Sequence, residues 1–145
     1  MDWGKRIRMM FIVVISFLCL VSCANTEKKA MRIFVSDGSN TIIFRLNDSL
    51  PAQSLYEMIP FDVTVGDFLA SQKIFYPPEK VDGTGGIVGD GGAGDLALFH
   101  GWGDIVMYYG PFNANQSLFL LGTAESGAEK IKDLSGIIHV ERFVR

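Results

Sequence analysis

From position 31 onward, the chain breaks into short apolar runs separated by clusters of turn-forming residues. Residues 31–35 and 41–46 are rich in β-branched and aromatic side chains. They flank Ser36-Asp37-Gly38-Ser39-Asn40, and this pattern predicts a β-hairpin. Ser49 can cap a helix that has Pro51 in its first turn, with Leu55, Met58 and Ile59 on one face and Pro60 as its stop. A helix over 49–59 is therefore expected, plugging one end of a sheet. Phe61, Val63 and Val65 alternate with Asp62, Thr64 and Gly66, the pattern of a half-buried strand. Residues 72–76 form another short strand, halted by Pro77-Pro78. Residues 81–94 carry too much glycine and too little apolar content for a regular element. They read as a long loop, and such loops in compact domains are commonly functional or floppy.

That loop leads into the stretch that organises the chain, residues 94–110. Two apolar strands, 95–100 and 104–109, are joined by the tight link Gly101-Trp102-Gly103, and Leu96, Leu98, Ile105 and Met107 should face the core. After a turn at 111–115 comes a strand at 117–121, ended by Gly122. A short helix is expected over 126–134, with Ser126 as cap, Glu129 in the first turn, Lys130 and Lys132 toward its end and Gly136 closing it. The last strand is 137–144. There is no internal repeat. About eight short strands with two short helices favour an all-β barrel over a parallel α/β sheet.

Several of these segments together resemble the small bacterial cyclophilin-like proteins. They are the helix over 49–59, Phe61-Asp62-Val63-Thr64-Val65, Lys73-Ile74-Phe75-Tyr76-Pro77-Pro78, the glycine loop, Gly94-Asp95-Leu96-Ala97-Leu98-Phe99, and the run from Trp102 to Tyr109. That family's hallmark is a Gly-Asp-Ile/Leu strand followed by Trp-Gly-Asn and a strand with an aromatic end. Here Asp104 stands where Asn is usual. The resemblance spans residues 31–145 and implies a closed eight-stranded barrel with a helix at each end.

The N-terminus is an address. Lys5, Arg6 and Arg8 precede an uncharged apolar run from 9 to 21, as in a secretory signal. The run is short for a membrane span, which needs roughly 20 apolar residues. Its end, Leu20-Val21-Ser22-Cys23, resembles the lipobox of bacterial lipoproteins, which implies acylation of Cys23 and its becoming the first residue after cleavage. The domains are then 1–22, signal peptide; 23–30, lipidated Cys23 and tether; and 31–145, the barrel. Cys19 leaves with the signal and Cys23 is the anchor, so disulfides cannot hold the fold and a packed core must. The chain carries a net charge of −3. Loss of Lys5, Arg6, Arg8 and Asp2 removes three positive charges and one negative, leaving about −5, which argues against a nucleic-acid partner. Ala24 after the cysteine, in place of the aspartate associated with inner-membrane retention, favours the outer membrane facing the periplasm.

Chemistry-bearing motifs are sparse. Gly89-Asp90-Gly91-Gly92-Ala93-Gly94 satisfies G-x-G-x-x-G, but it leads into a strand, whereas a dinucleotide site needs a helix N-terminus there. Asp82, Asp90 and Asp95 lack EF-hand spacing and read as turn carboxylates. His100 and His139 have no cysteine beside them, so no zinc site is expected. No metal or other cofactor is predicted. Among the aromatic residues Trp102 stands apart, because a large ring between two glycines in a tight link is poorly placed for mid-core. Phe75, Tyr76, Phe99, His100, Trp102 and Tyr109 make up the candidate ligand surface.

The resemblance raises one enzymatic alternative, peptidyl-prolyl isomerisation. True cyclophilins carry Phe-His-Arg, whose arginine polarises the prolyl amide. The region that should hold it reads Lys73-Ile74-Phe75-Tyr76, and no arginine occurs between Arg45 and Arg142. No catalytic residue carries over. The expected function is a lipid-tethered, non-catalytic binding or interaction module of the bacterial cell envelope, taking an unidentified peptide, protein or small ligand. A divergent isomerase is the alternative.

Overall fold

A computed structural model describes residues 27–145. The expected signal peptide and the anchor Cys23 lie outside the described residues. Nine strands form one antiparallel sheet: β1 (Arg32–Ser36), β2 (Thr41–Leu46), β3 (Phe61–Thr64), β4 (Gly66–Phe68), β5 (Gln72–Phe75), β6 (Asp95–Phe99), β7 (Asp104–Tyr108), β8 (Leu118–Ser126) and β9 (Ile137–Arg142). Helix α1 (Leu50–Glu57) and a 3-10 helix (Ala128–Asp133) complete the fold.

The spatial order is β3-β9-β1-β2-β8-β6-β7-β5-β4. Its two outermost strands, β3 and β4, are separated in sequence by Val65 alone. The chain bends there from one edge of the sheet to the other and nearly closes it into a barrel, which leaves little free edge. The Val65 N–H donates to the Gly136 carbonyl at 2.9 Å, and its side chain is buried. The ninth strand arises from this bend, since the sequence reads 61–66 as a single strand and leaves 67–68 unassigned.

The barrel interior follows strand parity. Ile33 and Val35 of β1, Ile42 and Phe44 of β2, and Ile138 and Val140 of β9 are fully buried, with exposed or half-buried residues between them. In β6 and β7 the register pairs Leu96 with Met107 and Leu98 with Ile105, and all four are buried as expected. Helix α1 closes one end of the barrel with Ala52 and Leu55. Its N-terminus is fixed by Ser49, whose Oγ accepts the Ala52 N–H at 3.3 Å, and by Pro51. The helix stops at Glu57, two residues before the expected end, and the Ile59–Pro60 peptide is cis. Arg142 at the end of β9 donates to the Tyr56 carbonyl and lies 4.5 Å from the Tyr56 ring centroid, joining the last strand to the helix.

The C-terminal third departs from the expected boundaries. β8 runs straight through Gly122 to Ser126 because it pairs on both sides, with β6 and with β2. Gly122 serves this pairing: a Cβ there would collide with the Arg45 carbonyl. Ser126 therefore ends a strand, and Gly127, at φ 79°, begins the 3-10 helix in its place. Ile131 and Leu134 bury themselves from this helix. The last strand ends at Arg142, short of the expected 144.

Candidate functional site

The organising hairpin β6–β7 is buried on both faces. Inward residues alternate with Ala97, Phe99, Asp104, Val106 and Tyr108, which point to the outer wall. That wall carries a second apolar cluster, in which Ala97, Val106, Tyr108 and Leu118 pack with Ile74, Phe99 and Phe112. Every residue of β7 is buried as a result.

A cleft of about 300 Å³ opens on this outer wall. One side is built by the hairpin link. The Trp102 and Gly103 N–H groups both donate to the Phe99 carbonyl, at 3.2 and 2.8 Å, and Gly103 takes φ 78°. This holds Trp102 out from the barrel with 59 % of its surface exposed. Its ring meets Phe99 at 5.3 Å between centroids and Phe68 edge-on at 5.6 Å. The other side is Phe112, stacked on Tyr108 at 3.8 Å and 22°. Phe112 is fixed by Gly91 through reciprocal backbone hydrogen bonds of 3.1 and 3.0 Å.

Asp104, the cross-strand partner of Phe99, lines the cleft between these aromatic groups. Only 2 % of it is exposed, and its Oδ1 has no hydrogen-bond partner among the described residues. Burial pushes its carboxyl above the usual carboxylate range. The Tyr108 phenol is pushed up to about 12, first by burial and then by the nearby Asp104 charge. None of the described residues lining the cleft is Lys, Arg or His.

The structure brings only two of the six candidate ligand-surface residues, Phe99 and Trp102, into this cleft. Phe75 is 1 % exposed and belongs to the barrel core, because its pairing with Ile105 turns it inward. Tyr109 packs against that same core. Tyr76 lies exposed just past the end of β5 and does not line the cleft. His100 is exposed and tilts against the Phe119 ring at 5.5 Å, while Gly83 approaches it so closely that a Cβ there would strike the imidazole. Lys73 shares the inward parity of Phe75, is buried and pairs with Asp67 at 2.5 Å. It too is directed away from the cleft.

The glycine loop contributes no lining residue. It is a packed strap. Ile87 bridges to Leu120, Gly91 to Phe112, and Gly86 lies against Phe119 where no side chain would fit. Its carboxylates are spent on backbone donors: Asp82 on Thr84, Asp90 on Ala114 and Asp95 on Gly92, at 2.9, 2.6 and 2.9 Å. The loop ends in β6 and not in a helix, so its glycine pattern offers no helix N-terminus to a phosphate. His139 contacts Asp62 at 2.6 Å on the exposed face of β9 and β3.

Sequence reading missed Phe68, Asp104, Tyr108 and Phe112 as cleft residues. The parity signal was available for two of them: with Ile105 and Met107 assigned inward, Asp104 and Tyr108 must face outward.

The model of the cyclophilin-like family matches residues 35–141 of the chain. No curated protein matches it. Among solved structures, the solution structure of the hypothetical protein AF2241 from Archaeoglobus fulgidus is similar, with a TM-score of 0.60 and 15 % sequence identity. The alignment covers 81 % of this chain and 99 % of that one, a likeness of fold.

Proposed function

This chain belongs to the cyclophilin-like family, and from that premise we propose that it is a non-catalytic binding module, tethered by lipid on Cys23 to the bacterial cell envelope, with its ligand site on the outer wall of the barrel. The observation that carries the binding role is the cleft. Five aromatic side chains, Phe68, Phe99, Trp102, Tyr108 and Phe112, meet around one buried carboxylate. Such a surface gives a ligand apolar contact and one polar point of orientation. Isomerisation is disfavoured by the same lining, which holds no cation to polarise a prolyl carbonyl. Lys73 is engaged by Asp67 on the other side of the wall, and His100 stands outside the lining.

The binding role is tested by amide NMR of the full-length protein in maltoside micelles, titrated with benzyl alcohol and with a proline tetrapeptide. Saturable shifts confined to Phe68, Phe99, Trp102, Asp104 and Tyr108 are expected. Shifts mapping elsewhere, or none, overturn the site. In the same samples the tetrapeptide's cis–trans exchange should stay at its uncatalysed rate, and acceleration within about a hundredfold of a true cyclophilin would make the protein an isomerase. The tether rests on the lipobox-like Leu20-Val21-Ser22-Cys23. Cys23→Ser should abolish palmitate labelling and leave an unprocessed precursor; normal maturation of that variant defeats the anchor, and fractionation decides between the two membranes.

A further inference from the structure

A buried carboxylate is normally paired, because an ion removed from water loses its hydration without compensation. Asp104 departs from that rule. It lines the cleft with one carboxylate oxygen unpartnered, and the polar groups around it offer no positive charge: the lining supplies Gln72, Asn113, Asn115 and the Tyr108 phenol. The remaining surroundings are chemically specific. Aromatic rings have negative faces, and a cation within about 6 Å of a ring centroid is attracted to them. Trp102, the ring type best suited to this, is held at the mouth of the cleft by Phe68 and Phe99, and the Tyr108–Phe112 stack lies on the other side. A neutral ligand could use the rings and at most donate a hydrogen bond to Asp104, leaving its charge unbalanced. An anion would be repelled by both.

We propose that the cleft takes a small organic cation, a ligand with an alkylammonium or trimethylammonium head group, whose charge is balanced by Asp104 and whose methyl or methylene groups contact the surrounding rings. This rests on the cleft being the ligand site and adds the class of ligand. Three features of the site agree with it. The cleft, at about 300 Å³, is of head-group size and lies at the small end of ligand pockets. The arrangement combines a desolvated carboxylate with several aromatic rings in one lining, the two kinds of group that recognise organic cations. The raised pKa of Asp104 is the free-state counterpart, since an adjoining cation would bring it back down.

The test uses the full-length protein with Trp3→Phe in maltoside micelles, so that Trp102 is the sole tryptophan. Its fluorescence is followed during titration with choline and with the neutral carbon isostere 3,3-dimethylbutan-1-ol, at constant ionic strength. Choline should saturate the Trp102 signal at a concentration at least tenfold below that needed for the isostere. Asp104→Asn should bring the two within about twofold while the circular dichroism stays unchanged. Equal affinities in the unsubstituted protein, or a choline preference that survives Asp104→Asn, overturn the cation assignment. A saturable signal from the isostere without any preference does so while leaving the cleft as a ligand site. Silence of Trp102 toward both probes overturns the cation assignment, and the NMR titration then decides separately whether the cleft binds at all.

Discussion

Gly91 and Phe112 occupy one another's space: their backbones exchange two hydrogen bonds, and the Phe112 ring lies where a Cβ on Gly91 would stand. The glycine strap thereby fixes one wall of a cleft that it does not line. Gly91→Ala should push the ring off its stack with Tyr108 and cost about 1–3 kcal/mol, as overpacking of a filled site does. Urea unfolding and the near-ultraviolet dichroism of the tyrosine check this. A variant as stable as the parent, with its aromatic dichroism intact, would show that the strap is free to move.

The core prediction concerns Leu98, which is 1 % exposed and opposite Ile105. Leu98→Ala should lower stability by about 2–5 kcal/mol, the range for large-to-small changes in a packed interior. By contrast, Trp102→Ala should cost little stability, because most of that ring is exposed, and should act on binding instead. Comparable losses in the two variants would contradict the division between inner core and outer site.

Asp37 in the β1–β2 turn gives an acid limb to stability. Burial raises its pKa, but the backbone N–H groups of Asn40, Ser39 and Ser135 and the Asn40 amide donate to the carboxylate and outweigh burial, setting the value at about 2 against 3.8 ordinarily. Because the folded value is the lower one, the stabilisation is present above about pH 4 and is lost as pH falls toward 2. Asp37→Ala should therefore lose about 1–2 kcal/mol at neutral pH after allowance for solvent screening, and the gap should narrow across that window. Thermal melts of both proteins at a series of pH values measure it.

Asp104 has the opposite sign. Burial raises its folded-state pKa above 3.8, so the unfolded chain ionises first and the fold loses stability as pH rises from 3.8 to the folded value. Asp104→Asn removes that loss. It should make the protein more stable at neutral pH and leave it unchanged well below pH 3.8, where both states are protonated. A stabilisation that is the same at pH 3 and pH 7 would mean that packing, and not the buried charge, is responsible. A residue that weakens the free fold at neutral pH is one whose retention fits a role in binding.

Local signals in the sequence reach far into the fold. The hairpin turn of Asp37 and Gly38, the cap at Ser49 and the start of the last strand at Ile137 each depend on neighbours within a few positions, and each stands where its pattern puts it, although the helix and the last strand both end two residues early. The inward set Leu96, Leu98, Ile105 and Met107 is legible for the same reason, since a strand's side chains alternate with a period of two. Gly122 was misread because its purpose is the backbone of Arg45, a long-range approach that looks locally like a strand stop.

The site depended on still longer-range relations. Alternation separates Tyr108 from Tyr109 but does not say that the outward face is covered and hollowed. That required the β4–β5–β7 pairing, which brings Phe68 of β4 beside Trp102, and the strap through Gly91, which brings Phe112 onto Tyr108. Sequence alone determined the lipobox-like N-terminal pattern, the period-two strands and which residues can sit inside, because these are set by covalent spacing. Tertiary structure decided that Asp104 is a buried, unpaired acid among aromatic rings, because burial and partners are properties of segments that meet only when the strands pair and the strap packs over them.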